Sequence, residues 1–381
     1  MKFSITYLSI ALVGILALTW WFTEQGDSDS ESAERLSNQA RSAQRLHGTE
    51  RSERDRRSTS SSNGSDKSAV GKLAQWLRDN EGDPRAYAQA LLAVYMIKGD
   101  SDMLRKAIAA DPNNPQLLLH GSCQSVFSDA ERLELSKRLL TKDPNNTMAA
   151  YLYAHELARS GDMQGSIDMM RNSQQLSEFK LYREQTFEAL ENAYKAAGCS
   201  PLIAKILGAQ DLSTSPILSI HPLFTKHYDP HLETLPPEDA LELRSLSASV
   251  EHNMRHVNKS PLVIDELMGI AIASNSLKGL DDNTPSHFQG MTVAEAKAVL
   301  LRDKKEIAKI SQLPIKIFPE PLPELLEAPS PEALTRWEAQ LDSELIEQFF
   351  DYIMQNGEVK ALLWYAEQTG LTIEPPEDAA Q

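Results

Sequence analysis

Apolar and small residues recur at three- and four-residue steps along much of this chain. In "DPRAYAQALLAVYMIKGDSDMLRKAIAADPNN", Ala88, Leu91, Leu92 and Tyr95 form one stripe, and Met103, Leu104 and Ile108 form another. That spacing places each set on one face of a helix, so the stretch predicts two helices joined at Gly99-Asp100. "PQLLLHGSCQSVFSDAERLELSKRLLTK" repeats the arrangement, with its break around Ser125 to Asp129, and "TMAAYLYAHELARSGDMQGSIDMMRNS" predicts a third pair. A fourth is expected from about Glu178, with Tyr182, Phe187, Leu190 and Tyr194 on one stripe. Its return helix starts at Ser200-Pro201, a cap followed by proline at the first helical position.

Residues 211–236 change character, with prolines at irregular spacing, and predict a long connection or a cap on the last pair. Helices then resume at Pro237 to Val257, after Ser260-Pro261, and at Val293, where Thr292 and Glu295 have the spacing of a capping box. A proline-rich joint follows, then a helix from Ser330-Pro331. Two more, "SELIEQFFDYIMQN" and "EVKALLWYAEQTG", meet at Gly357. No second repeat period emerges in this half, which reads as a bundle or as a continuation of the paired helices.

The ends differ from the body. "ITYLSIALVGILALTWWF" (Ile5 to Phe22) carries no charge. With Phe3 and Ser4 it is long enough to cross a bilayer as a helix, and Trp20, Trp21 and Phe22 suit the membrane interface. An uncleaved transmembrane anchor over residues 1–22 is therefore expected. The rival is a cleaved signal peptide, opposed by the weakly basic head and by the lack of a small-residue cleavage site after the apolar run. Lys2 favours an amino terminus in the cytoplasm and a body outside it, periplasmic if the organism is bacterial; the six arginines from Arg41 to Arg57 weaken that asymmetry. Residues 23–66, rich in serine, arginine and acids and without an aromatic, predict a disordered linker.

One four-residue string, Asp-Pro-Asn-Asn, occurs at Asp111 to Asn114 and again at Asp143 to Asn146, 32 residues apart. Proline stops a helix running through the turn, while Asp and Asn side chains accept backbone hydrogen bonds and start the next one. With these turns, and with Ala154, Leu157, Gly161, Ser166, Met170 and Ser173 at matching spacings, residues 70–208 resemble the tetratricopeptide repeat family. Its unit is an antiparallel helix pair of about 34 residues. The resemblance implies an all-α, antiparallel helix-pair solenoid over residues 67–210, with a concave groove for a protein or peptide partner. A second all-helical region over 211–372 and an acidic tail over 373–381 complete the expected organisation, behind the N-terminal transmembrane helix.

Charge narrows the partners. The whole chain has a formal charge of −16, a field that repels nucleic acid, so no nucleic-acid partner is expected. Cys123 and Cys199 are the only cysteines; buried thiols and a disulfide both remain open. Five of the nine histidines fall between His221 and His256. His252 and His256, four apart, share a helix face and are the candidate metal-ligating pair, but no glutamate lies between them as in His-Glu-x-x-His. No phosphate loop, nucleophile elbow or Cys-x-x-Cys is present, so no catalytic residue is nominated, no cofactor is expected, and a small-molecule substrate is left unknown.

The function expected is a membrane-tethered interaction scaffold or adaptor in an envelope assembly or secretion complex, held to the membrane by its N-terminal helix. The alternatives are an enzyme or metal-dependent envelope factor with its site in residues 211–381, and a purely structural tether.

Overall fold

The computed structural model describes residues 69–212, 216–259, 261–288, 290–311, 313, 338–339 and 341–371. Every regular element among them is helical. Helices α1 to α9 run Ala69–Asn80, Pro84–Lys98, Ser101–Ala110, Pro115–Cys123, Asp129–Lys142, Thr147–Arg159, Met163–Ser173, Arg183–Ala197 and Pro201–Leu212. A short α10 (Asp229–Leu232) is followed by α11 (Pro237–His252), α12 (Val263–Ser276), α13 (Val293–Ile310), α14 (Ser343–Asn356) and α15 (Glu358–Thr369). They fall into two compact units that interleave along the chain.

The first unit holds α1 to α3, α8 from Glu184 onward, and α9. Asp83 caps α2, its carboxylate accepting from the Arg85 and Ala86 N–H groups, with Pro84 at the first helical position. Gly99, at φ 70°, ends that helix in the left-handed conformation, and Asp100 caps α3. The Gly-Asp pair therefore stops one helix and starts its partner within two residues. Packing of α1 on α2 and of α2 on α3 buries Leu73, Ala88, Leu91, Leu92, Leu104 and Ile108.

The second unit holds α4 to α7 and α10 to α15. Within it α4 packs on α5, α5 on α6 and α6 on α7, while α4 also reaches α6. These are two successive helix pairs in a repeat-like, solenoid arrangement. The Asp-Pro-Asn-Asn string has the same local role in both copies. Asp111 and Asp143 cap the ends of α3 and α5, and Asn114 and Asn146 cap the starts of α4 and α6 by accepting from the Gln116 and Met148 N–H groups, each at 3.1 Å.

The expected fourth helix begins later than the pattern suggests. Residues 178–182 are non-helical and clip onto the second Asp-Pro-Asn-Asn turn. Asn146, fully buried, accepts from Lys180 N–H at 2.9 Å and donates to Lys180 C=O at 3.1 Å. Thr147 donates from its backbone to Glu178 C=O at 2.8 Å. Tyr182 sits at φ 52°, disfavoured for a bulky side chain, with its hydroxyl donated to Asp143. The helix starts only after it, at Arg183.

Residues 211–236, expected as a long connection or a cap on the last pair, carry short helical elements of their own. They contain a 3-10 turn (Pro216–Ser219), a π-helix (Leu223–Tyr228) and α10, and they bury Ile217, Ile220, Leu223, Phe224 and Tyr228. A second π-helix, Asn253–Val257, continues α11. Helix α12 is buried on nearly all sides, and Gly269 lets α11 approach it: a Cβ there would lie 3.3 Å from Glu251 Cα.

The transmembrane part of the expected architecture is corrected as well. Among the described residues no helix is long and apolar enough to cross a membrane. The anchor expected at 1–22 and the linker at 23–66 lie outside the described residues. Among the described residues the fold is all-α with helix-pair packing.

Candidate functional site

In the first unit, α1, α2 and α8 frame a cavity of about 370 Å³. Its apolar lining is Trp76 from α1 and four alanines, Ala86, Ala90, Ala189 and Ala196. The alanines recur at four- and seven-residue spacings on α2 and α8, which keeps them on one helix face and holds the opening clear of side chains. Its polar lining is made of carboxamides alone, from Asn80, Gln89 and Asn192. Asn80 Nδ2 donates to the Trp76 carbonyl at 2.7 Å, which anchors the end of α1. Asn192 is exposed and its side chain makes no hydrogen bond among the described residues. Such a lining can exchange neutral hydrogen bonds and stack on a ring, but it offers no nucleophile, no titrating group and no charge.

The second unit places its polar residues inside. Arg183 is ion-paired with Asp265, the two side chains 5% and 0% exposed. Asp265 also accepts from Leu262 N–H at 2.8 Å, so it holds the start of α12. Glu358 accepts from Val263 N–H at 2.9 Å, and burial raises its carboxyl pKa. On α6, Glu156 is gripped by Arg159 and approached by Arg132 Nε at 3.4 Å. One residue earlier His155 meets His227 of the first π-helix, ring centroids 5.7 Å apart. Burial lowers the His155 pKa to about 3 and those of His120 and His221 to about 4. These imidazoles are neutral at pH 7 and serve the core as polar packing.

Ser276 and His287 form the described pair closest to a nucleophile and its base, with Oγ 2.9 Å from Nε2. Ser276 already donates to the Ala273 carbonyl at 2.6 Å, so the imidazole is the donor in the pair. His287 Nδ1 is buried without a hydrogen-bond partner, so no carboxylate orients the ring. A serine-histidine relay needs the opposite polarity and that third group.

No protein-family model, curated protein or solved structure matches this chain. The reading therefore rests on the residues themselves.

His252 and His256 do lie together at the end of α11 and in the second π-helix, ring centroids 5.2 Å apart. The acids nearby are occupied: Arg255 donates to Glu251 at 2.6 Å and to Asp303 at 2.9 Å. No group of three or more His, Cys, Asp or Glu able to hold a metal occurs among the described residues, so the metal-dependent alternative is withdrawn. Cys123 and Cys199 are free thiols; burial pushes Cys123 up to about 12. The membrane-tethered function, the membrane as a partner and the extracytoplasmic location all rested on the N-terminal anchor. With no membrane-crossing helix among the described residues, they are withdrawn together.

None of the cavity residues is singled out by the sequence. The available signal was Trp76 preceding the first helix pair, with Ala86 and Ala90 four apart on the next helix.

Proposed function

We propose that the protein is a helical-repeat interaction protein, of tetratricopeptide-like construction over residues 70–208, that holds a peptide segment of a partner protein. The cavity between α1, α2 and α8 carries this reading. It is a concave, partly apolar opening with convergent hydrogen-bonding groups, the usual character of a recognition site. Paired helices with short capped turns supply a rigid frame for it.

Selection of displayed random peptides on the immobilised full-length chain tests the reading, with Ala86→Phe as the counter-target. Ala86 is half-buried at the start of α2, so the larger ring enters the opening. Enriched peptides that bind the parent chain and not Ala86→Phe are the expected outcome. No enrichment, or equal binding to both proteins, would contradict it.

A further inference from the structure

We infer that the cavity takes an uncharged, proline-bearing stretch of extended peptide from a partner protein, an inference that rests on the peptide-binding reading above. Among the described residues the lining contains no charged side chain, although 24% of the chain is charged. An ionised guest would lose its hydration there and meet no counter-charge, which is costly. The helix N-terminus that borders the cavity is already neutralised: Asp83 Oδ1 accepts from the Arg85 and Ala86 N–H groups at 2.9 and 3.4 Å. The positive end of the α2 dipole is thus spent on Asp83 and does not draw an anion.

Size excludes a helical guest. At about 370 Å³ the cavity lies at the lower end of ligand pockets, which run from ~300 to ~1,000 Å³. A helix with its side chains is ~10 Å across and does not enter. One or two residues of an extended strand do.

Hydrogen bonding and shape select among neutral strands. A polyproline II segment has no internal hydrogen bonds, so its carbonyls await donors. The unengaged carboxamide of Asn192 on the rim supplies two. A prolyl ring is flat and apolar, and Trp76 lines the cavity together with four alanines, the kind of aromatic groove that recognises proline-rich chains. Because such a strand is already extended, little conformational entropy is lost when it docks.

The test is calorimetric titration of the full-length protein with capped octaproline, beside capped octaglutamate, capped octalysine and N-acetyltryptophanamide. Octaproline is expected to bind saturably and the other three to give no saturable heat. Trp76→Ala and Ala86→Phe should weaken octaproline about tenfold, the worth of one stacking contact. Asn192 is exposed and its side chain is unbonded among the described residues, so Asn192→Ala keeps the fold and should weaken binding severalfold even if Trp76→Ala melts the unit. Octaproline binding that is unchanged in Asn192→Ala and Ala86→Phe would overturn the inference, as would tighter binding of either charged octapeptide or of the tryptophan amide. Selected peptides that lack proline yet still require the Ala86 opening would sink this inference and leave the peptide-binding reading standing.

Discussion

In the first unit the polar side chains that line an opening are carboxamides, set among alanines and one tryptophan. In the second unit the inward-facing polar groups include bonded sets: Arg183 with Asp265, Glu156 with Arg159, the Asn146 carboxamide on both backbone groups of Lys180, and the neutral ring of His155 against His227. Carboxamides around a cavity are cheap to leave facing water and ready to bond a guest. Buried ions are costly unless each is answered by a partner in fixed geometry, so they hold a structure in place and leave nothing over for a guest. The two units thus differ in where these polar groups sit, around an opening in the first and in fixed partnerships inside the second.

Breaking the Arg183–Asp265 pair should produce the largest loss. Asp265→Ala strands a buried guanidinium and removes the acceptor at the start of α12, and a cost of about 3–5 kcal/mol is expected in denaturant unfolding. Asn146→Ala comes next. It removes a fully buried carboxamide bonded to both backbone groups of Lys180, so about 1–3 kcal/mol is expected for the groups left unpaired. Gly269→Val forces a branched side chain against the Glu251 backbone and should cost about the same, 1–3 kcal/mol, by overpacking.

Acid should act on the second unit by a smaller, graded amount. Burial depresses the folded pKa values of His120, His155 and His221 to about 4, 3 and 4 from the ordinary 6.5 of imidazole. The unfolded chain therefore binds protons that the folded one refuses. Their contribution is whole above pH 6.5 and is lost as pH falls toward the folded values. Each contributes a slope of up to about 1.4 kcal/mol per pH unit within that window. His155→Phe should flatten the unfolding profile by that slope. Arg132, Arg159 and Glu156 surround His155, and burial lowers the pKa of His227 as well.

The smallest effect is expected at the first Asp-Pro-Asn-Asn turn. Asn114→Ala removes the cap that accepts from Gln116 N–H and should cost about 1 kcal/mol, less than the chemically identical change at Asn146. Equal costs at the two sites would mean that the 178–182 clip adds nothing.

That pair of asparagines also shows where the sequence is legible. The caps follow from local chemistry, and so do the Gly99-Asp100 turn and the Thr292–Glu295 box, whose reciprocal bonds form at 3.3 and 2.8 Å. Each depends on residues within one helical turn. Asn146 became buried, and Tyr182 was driven to positive φ, through contacts more than thirty residues away, for which the helical stripe through Tyr182 gave the wrong start. The π-helices at Leu223 and Asn253 likewise answer to packing on α6 and α12 and carry no local motif. Neither does the cavity: Trp76, Ala86 and Asn192 lie on three helices that only the fold assembles. The His252–His256 spacing was read correctly as one face, but the state of its neighbours Glu251 and Asp303 was set by Arg255 and could not be read from spacing.

The most direct measurement is site-specific photo-crosslinking in cells of the full-length chain, with the photoreactive residue at Ala86 or, as a control, at exposed Lys106 on α3. A protein adduct formed from Ala86, absent from Lys106 and competed by a peptide selected on the cavity, is the result expected of a peptide-binding helical-repeat protein. Adducts of equal yield from both positions, or none from Ala86, would contradict it.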